Sequence, residues 1–182
     1  MEISNERTCV YVSKLLTHNE IIKIKFFTAK ISGKYGSAKP ARQELYLRAL
    51  RTLNNVEIIE GSFLFSPKKI RITEDVSLTA KIAEEKGTDV NIAVHLVNDA
   101  HMRKFDTAVI VSNDSDLAES IRIVTQELGL KVGLINPYPV FNKQIGKYAT
   151  FKILARDSAL LSSQFPQALT DASGGITKPQ LW

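Results

Sequence analysis

Asp114 and Asp116 stand one residue apart in the run Ser112-Asn113-Asp114-Ser115-Asp116. Carboxylates this close offer hard oxygen donors to a cation such as Mg²⁺, and through it to a phosphate ester. Helix capping competes with that chemistry. Asp, Asn and Ser are favoured N-cap residues, and acids in a first turn suit the helix dipole. A single acid meets the needs of a cap; a pair flanked by Asn113 and Ser115 exceeds them. Another acid, Asp89, follows Lys86-Gly87-Thr88 and precedes Asn91. It too stands where a helix should begin. It reads either as a cap shared with Thr88 or as a further carboxylate for the same site, provided the two helix starts face each other.

The elements around these acids would carry them to strand tips. Residues 107–111, Thr-Ala-Val-Ile-Val, form a β-branched apolar run without alternation, the pattern of a strand covered on both faces. After the acidic turn, Leu117, Ile121, Val124 and Leu128 recur at helical spacing. Strand, acidic turn and helix follow in that order, and open α/β sheets bind ligands at that end of their strands. From residue 88 a second helical pattern holds Val90, Ala93, Val94, Leu96 and Val97, with Asn91, His95 and Asp99 on a polar stripe. Asp99 reads as solvated there, and Asp106 as a turn residue at the far end of the strand. His95 and His101 lack metal-ligand spacing and His18 is distant, so all three read as solvated or hydrogen-bonded.

The rest of the chain frames this centre. Residues 20–31 predict a strand, 32–40 a basic loop, and Pro40 the first turn of a helix with a Tyr46, Leu47, Leu50, Leu53 stripe. Residues 56–60 predict a strand that continues over 61–65 as strand or bulge, followed by a turn at 66–69, a returning strand at 70–73, and a polar stretch over 74–87 with room for a short helix. Lys68, Lys69 and Arg71 mark a basic edge, whose simplest role is to deter sheet-to-sheet association. Residues 130–135 predict a buried strand, Asn136-Pro137-Tyr138-Pro139 a rigid loop, 142–149 a helix, 150–155 a strand and 157–164 a helix. The stretch from Phe165 to Trp182 reads as a surface tail anchored by Trp182. Residues 8–16 fit a strand or the end of a helix. This alternation predicts a doubly wound α/β fold.

Composition narrows the function classes. The 182 residues fit one domain, taken as 8–160 with a tail at 161–182. A formal charge of +5 suits a polyanionic partner without demanding one. Cys9 is the single cysteine, so neither an internal disulfide nor a cysteine zinc ribbon can form. No apolar run approaches the ~18 residues of a membrane span, and no basic-then-apolar leader opens the chain. Cytoplasmic residence away from membranes is the expectation.

Lys86-Gly87-Thr88-Asp89-Val90-Asn91, followed by Ala108-Val109-Ile110-Val111-Ser112-Asn113-Asp114-Ser115-Asp116-Leu117, resembles the NYN domain, a PIN-like ribonuclease family, and within it the bacterial LabA-like branch. Phe26-Phe27-Thr28-Ala29-Lys30 is similar to the second strand of that branch. The run from Asp157, with Ser163-Gln164-Phe165-Pro166 and Lys178-Pro179, resembles its C-terminal tail. The resemblance covers about residue 10 to the end. It implies a PIN-like, Rossmann-like three-layer sandwich with a mostly parallel central sheet. It also implies hydrolysis of RNA phosphodiesters with Mg²⁺ or Mn²⁺. Asp89, Asp114 and Asp116 match the acids that hold metal and catalyse; Ser112, Asn113, Ser115, Asn91 and Lys86 stand as substrate-binding neighbours. RNA is the implied partner, with a homo-oligomer also admitted.

One departure qualifies the match. The family opens with a strand ending in Asp-Gly-x-Asn, whose Asp is a metal ligand. Here the first aspartate is Asp75 and no Asp-Gly pair exists. Residues 8–16 resemble the family's first helix, so the chain reads as starting late, with the first strand missing and the acidic site incomplete. That motivates an alternative: a non-catalytic NYN-fold module that binds RNA or a protein. A Toprim-like site would need a Glu after an earlier strand; Glu60 is the one candidate, and the match at 86–91 speaks against it. Lys30, Lys34, Lys39, Arg42 and Arg48 could rim an RNA path, though each alone reads as plain surface charge.

Overall fold

The computed structural model describes residues 16, 19–31, 39–73, 76–155 and 157–180. Alternation along β1 (Ile24–Ala29) sets the layering. Phe26 faces α1 (Lys39–Arg51), where its ring meets Tyr46 edge-on at 6.0 Å between centroids. Phe27 turns to the other face and meets His95 of α2 (Thr88–His101) at 5.6 Å. The period of two therefore places a helix on each side of the strand, giving three layers.

β1 pairs in parallel with the start of β2 (Val56–Arg71), from Ile24↔Val56 to Ala29↔Gly61. The remainder of β2 pairs antiparallel with β3 (Ser77–Lys86), from Ser62↔Lys86 to Arg71↔Ser77. β3 thus returns the chain to the carboxyl end of the β1–β2 ladder, where α2 begins. β4 (Thr107–Val111) follows, then a 3-10 turn (Ser115–Leu117) that leads into α3 (Ala118–Arg122) and a π turn (Ile123–Glu127). β5 (Lys131–Asn136) pairs in parallel with both β4 and β6 (Phe151–Leu154). α4 (Lys143–Gly146) links those last strands, and α5 (Asp157–Leu161) precedes a hairpin of β7 (Ala168–Asp171) and β8 (Gly174–Thr177).

The fold is α/β with a parallel β4-β5-β6 sheet, as expected. Instead of one central sheet, however, two three-stranded sheets form, β1-β2-β3 and β4-β5-β6. Among the described residues β1 and β4 are both outer strands. α2 bridges them. On one side Lys25 of β1 reaches Asp99, while on the other Leu96 and Ala100 join Ile110, Leu117, Ile121 and Val124 in the larger core. A second core gathers Leu47, Leu50 and Leu53 against Phe26, Val56 and Ile58. β5 lies innermost, buried from Val132 to Asn136. Gly133 has to be glycine, because a Cβ there would overlap the Phe151 ring across the ladder.

Several sequence expectations need correction. β4 is not covered on both faces: only Ile110 is buried and Val111 is 53% exposed, because β4 ends its sheet. Residues 66–69 are not a turn. β2 runs on through Pro67, which a ribbon with an open edge tolerates. The polar stretch before residue 87 holds no helix; it is β3, whose outer half is exposed on both faces and so shows no alternation. Asp99 is not solvated but buried, ion-paired to Lys25 and Lys104. The C-terminal stretch is not a plain tail: its hairpin is clamped to α1 by Arg48, which gives two hydrogen bonds to Asp171 at 2.8 and 2.7 Å. The expectations for residues 8–15, His18, Lys34, the 32–38 loop and Trp182 fall outside the described residues.

Candidate metal centre

Gly87 starts α2. Its φ of 87° is left-handed, a conformation that a Cβ would strain. It takes the cap position expected of Thr88 or Asp89, and no side chain caps the helix. Thr88 Oγ1 donates instead to Glu85. Asp89 is left in the first turn with an exposed side chain.

The other acids lie beyond β4. Asp114 Oδ1 accepts from Asp116 N at 2.9 Å and so caps the 3-10 turn. Ser112 Oγ accepts from Asp114 N at 3.1 Å, fixing the backbone just before it. Capping is therefore real at Asp114, but it engages only Oδ1. Asp116 is exposed, half-buried Ser115 lies between the acids, and Asp116 also lines an open groove of about 660 Å³ together with Val94, Val97, Ile123 and Leu128.

Charge ties the two helix starts together. Partial burial, then the negative charges of Asp114, Glu85 and Asp116, raise the Asp89 carboxyl above its ordinary range. The three acids named from sequence thus share one electrostatic field, and Glu85 adds to it. Sequence reasoning passed over Glu85; its position two residues before Gly87 was the available signal. Among the described residues, no three His, Cys, Asp or Glu side chains stand close enough to cage an ion. Mg²⁺ seldom needs a cage, since it is held through one or two carboxylates, several waters and substrate phosphate. Repelling carboxylates fit a hard cation on those terms and do not fit a closed protein-only site.

The neighbouring polar residues divide by task. Asn113 straps a loop: its Nδ2 donates to Val140 O at 3.1 Å and its Oδ1 accepts from Asn142 N at 2.8 Å. Lys86 pairs with Glu84 at 3.0 Å while staying about half exposed. Asn91 is half-buried, its backbone N donating to Gly87 O at 2.8 Å. Of the expected basic rim, Lys30 pairs with Glu60 at 3.2 Å, Arg48 holds the hairpin, and Lys39 and Arg42 are exposed.

Known proteins resemble this chain in three ways. The sequence model of the NYN domain matches residues 11–150. A protein of Pseudomonas putida (strain DSM 28022 / S16), 6-hydroxy-3-succinoylpyridine 3-monooxygenase HspA, is 29% identical over 178 residues. That match takes in 87% of this chain but only 57% of the relative's length. A crystal structure of a protein of unknown function, VPA0982 from Vibrio parahaemolyticus RIMD 2210633, superposes with a TM-score of 0.54 at 17% identity. It covers 81% of this chain and 77% of the other. At that identity the likeness concerns the fold.

Proposed function

Because this chain belongs to the NYN domain family, we propose that it is a Mg²⁺- or Mn²⁺-dependent ribonuclease hydrolysing RNA phosphodiesters, resident in the cytoplasm. The observation that carries the reading is the packing of Leu96 and Ala100 of α2 with Ile110 and Leu117, which brings the elements bearing Asp89, Asp114 and Asp116 into one core; the raised carboxyl of Asp89 agrees with it. Asp89, Asp114 and Asp116 would hold the ion together with waters. When bound, it supplies positive charge to the scissile phosphate and acidifies water. The chain's own residues set the stage. Ser112 orders the turn so that Asp114 and Asp116 present their carboxylates at the strand tip. Ser115, Asn91 and Lys86 line the approach as polar contacts for the ribose-phosphate chain, and Asn113 holds the adjoining loop.

A second reading has its own support. Asp114 already caps the 3-10 turn through Oδ1, a structural task that suits a non-catalytic module that binds RNA or a protein. One experiment separates the two. Purified protein with Mg²⁺ or Mn²⁺ is incubated with single-stranded RNA beside the Asp114→Asn variant. Metal-dependent cleavage lost in the variant supports the nuclease; equal cleavage by both sinks it. Metal binding and RNA binding without cleavage leave the non-catalytic module. Since a relative carries a monooxygenase name, 6-hydroxy-3-succinoylpyridine is offered in parallel; its turnover in place of RNA would overturn both readings.

A further inference from the structure

The loop after β5 has a construction that the acid chemistry does not require. Residues 136–140 read Asn-Pro-Tyr-Pro-Val, and Tyr138 and Val140 are 63% and 75% exposed. An exposed loop tip usually has little holding it. Here two asparagines do so. Asn136, fully buried, accepts from Tyr138 N at 3.1 Å through Oδ1 and donates to Val140 O at 2.8 Å through Nδ2. Asn113, next to Asp114, donates to the same carbonyl and accepts from Asn142 N. Pro137 and Pro139 fix φ on either side of the tyrosine. Tyr138 is thus held on both sides while its ring projects into solvent, and its frame is tied to the residue beside Asp114.

We infer that Tyr138 is a stacking platform for an unpaired nucleobase of single-stranded RNA, one step along the strand from the phosphate at the acidic tip. The inference rests on the nuclease reading and names where that substrate's base lies. Every base has a π face that an aromatic ring can cover, and splayed single strands are recognised in this way. A tyrosine whose backbone is already held by its loop leaves only side-chain rotation to lose when a base settles on it. A base within a duplex is stacked on its neighbours and cannot use the platform. The site therefore selects unpaired over paired RNA, without reading sequence.

The test measures binding apart from cleavage. Fluorescence anisotropy with EDTA present follows a labelled oligoadenylate and a duplex RNA of equal length, using the full chain. Tyr138→Ala should weaken oligoadenylate binding by roughly 10- to 100-fold, the range of one base–aromatic stack, and leave duplex binding unchanged. Tyr138→Phe should bind like the wild type, and thermal melting verifies that all variants are folded. Equal affinity of Tyr138→Ala and wild type for oligoadenylate overturns the inference, as does an equal loss on both RNAs or no oligoadenylate binding by the wild type. Binding that depends on Tyr138 in a protein that cuts no RNA keeps the platform and removes the nuclease. Cleavage whose KM ignores Tyr138→Ala does the reverse.

Discussion

Lys25→Met is the most informative perturbation of the scaffold. Lys25 Nζ meets His95 Nδ1 at 3.0 Å and ion-pairs with Asp99, whose other oxygen takes Lys104 at 3.1 Å. The Lys25 and Asp99 side chains are only 19% and 12% exposed, whereas Lys104 is 56% exposed. Removing one partner of a buried pair costs about 3–5 kcal/mol when the other charge is left alone. Lys104 still reaches Asp99, and an exposed partner is worth about 0–1 kcal/mol. The expected loss is therefore about 2–5 kcal/mol, read as a shift of the urea midpoint at unchanged slope. Adding Asp99→Leu should restore stability to within about 1 kcal/mol of wild type, because an apolar replacement removes the stranded charge. Acid gives an independent check. Burial alone would raise the Asp99 carboxyl, but hydrogen bonds from Lys25 and Lys104, and their charges, outweigh it and hold it below its ordinary range. The stabilisation is then complete above the unfolded pKa near ~3.9 and fades as pH falls through the lowered folded value. Lys25→Met should flatten that dependence. A single variant within ~0.5 kcal/mol of wild type, or a double variant worse than the single, refutes the claim that this pair fastens α2 to β1.

Asp89 supplies the opposite sign. Its carboxyl is raised, so without metal the fold loses stability as pH rises through the folded value. Asp89→Asn should raise the melting temperature at neutral pH in EDTA and shrink the gain produced by added Mg²⁺; an undiminished Mg²⁺ gain would remove Asp89 from the site. Asn113→Ala deletes two hydrogen bonds, worth about 1–3 kcal/mol together, and should speed amide exchange at Asn142 without unfolding the core; unchanged exchange there contradicts the strap. The Arg48 guanidinium, with help from Ser173 N and Gly174 N, holds Asp171 at about 2. As pH falls from about 4 through about 2 the hairpin should leave α1 before the β4–β6 sheet melts, and Arg48→Met should erase that early step in the Ile176 resonances.

Residues with local signals were legible in the sequence. Leu117, Ile121 and Val124, set at helical spacing, are fully buried. The Leu47, Leu50, Leu53 stripe fills the smaller core. What escaped depends on distant partners. Asp99 looked solvated on its own helix because Lys25 arrives from a strand 74 residues away. β3 was invisible because its outer half never reaches a core. The hairpin at 168–177 rests on Arg48, more than a hundred residues upstream. At the acidic tip the residue types were legible, but the left-handed Gly87 that frees Asp89 from capping was not, nor was the bond between Asn113 and Val140.

The outer strands β1 and β4 belong to two sheets that no ladder joins among the described residues. Cohesion between the sheets comes from side chains of one helix, and the buried Lys25–Asp99 pair on one side of it responds to pH more than to salt. Asp89 belongs to that bridging helix and Asp114 to the sheet beyond it. Leu96 and Ala100 of that helix pack with Ile110 and Leu117 beside the Asp114 turn, so the larger core sets the spacing of the two carboxylates, and a break of Lys25 from Asp99 would free β1 without moving them apart.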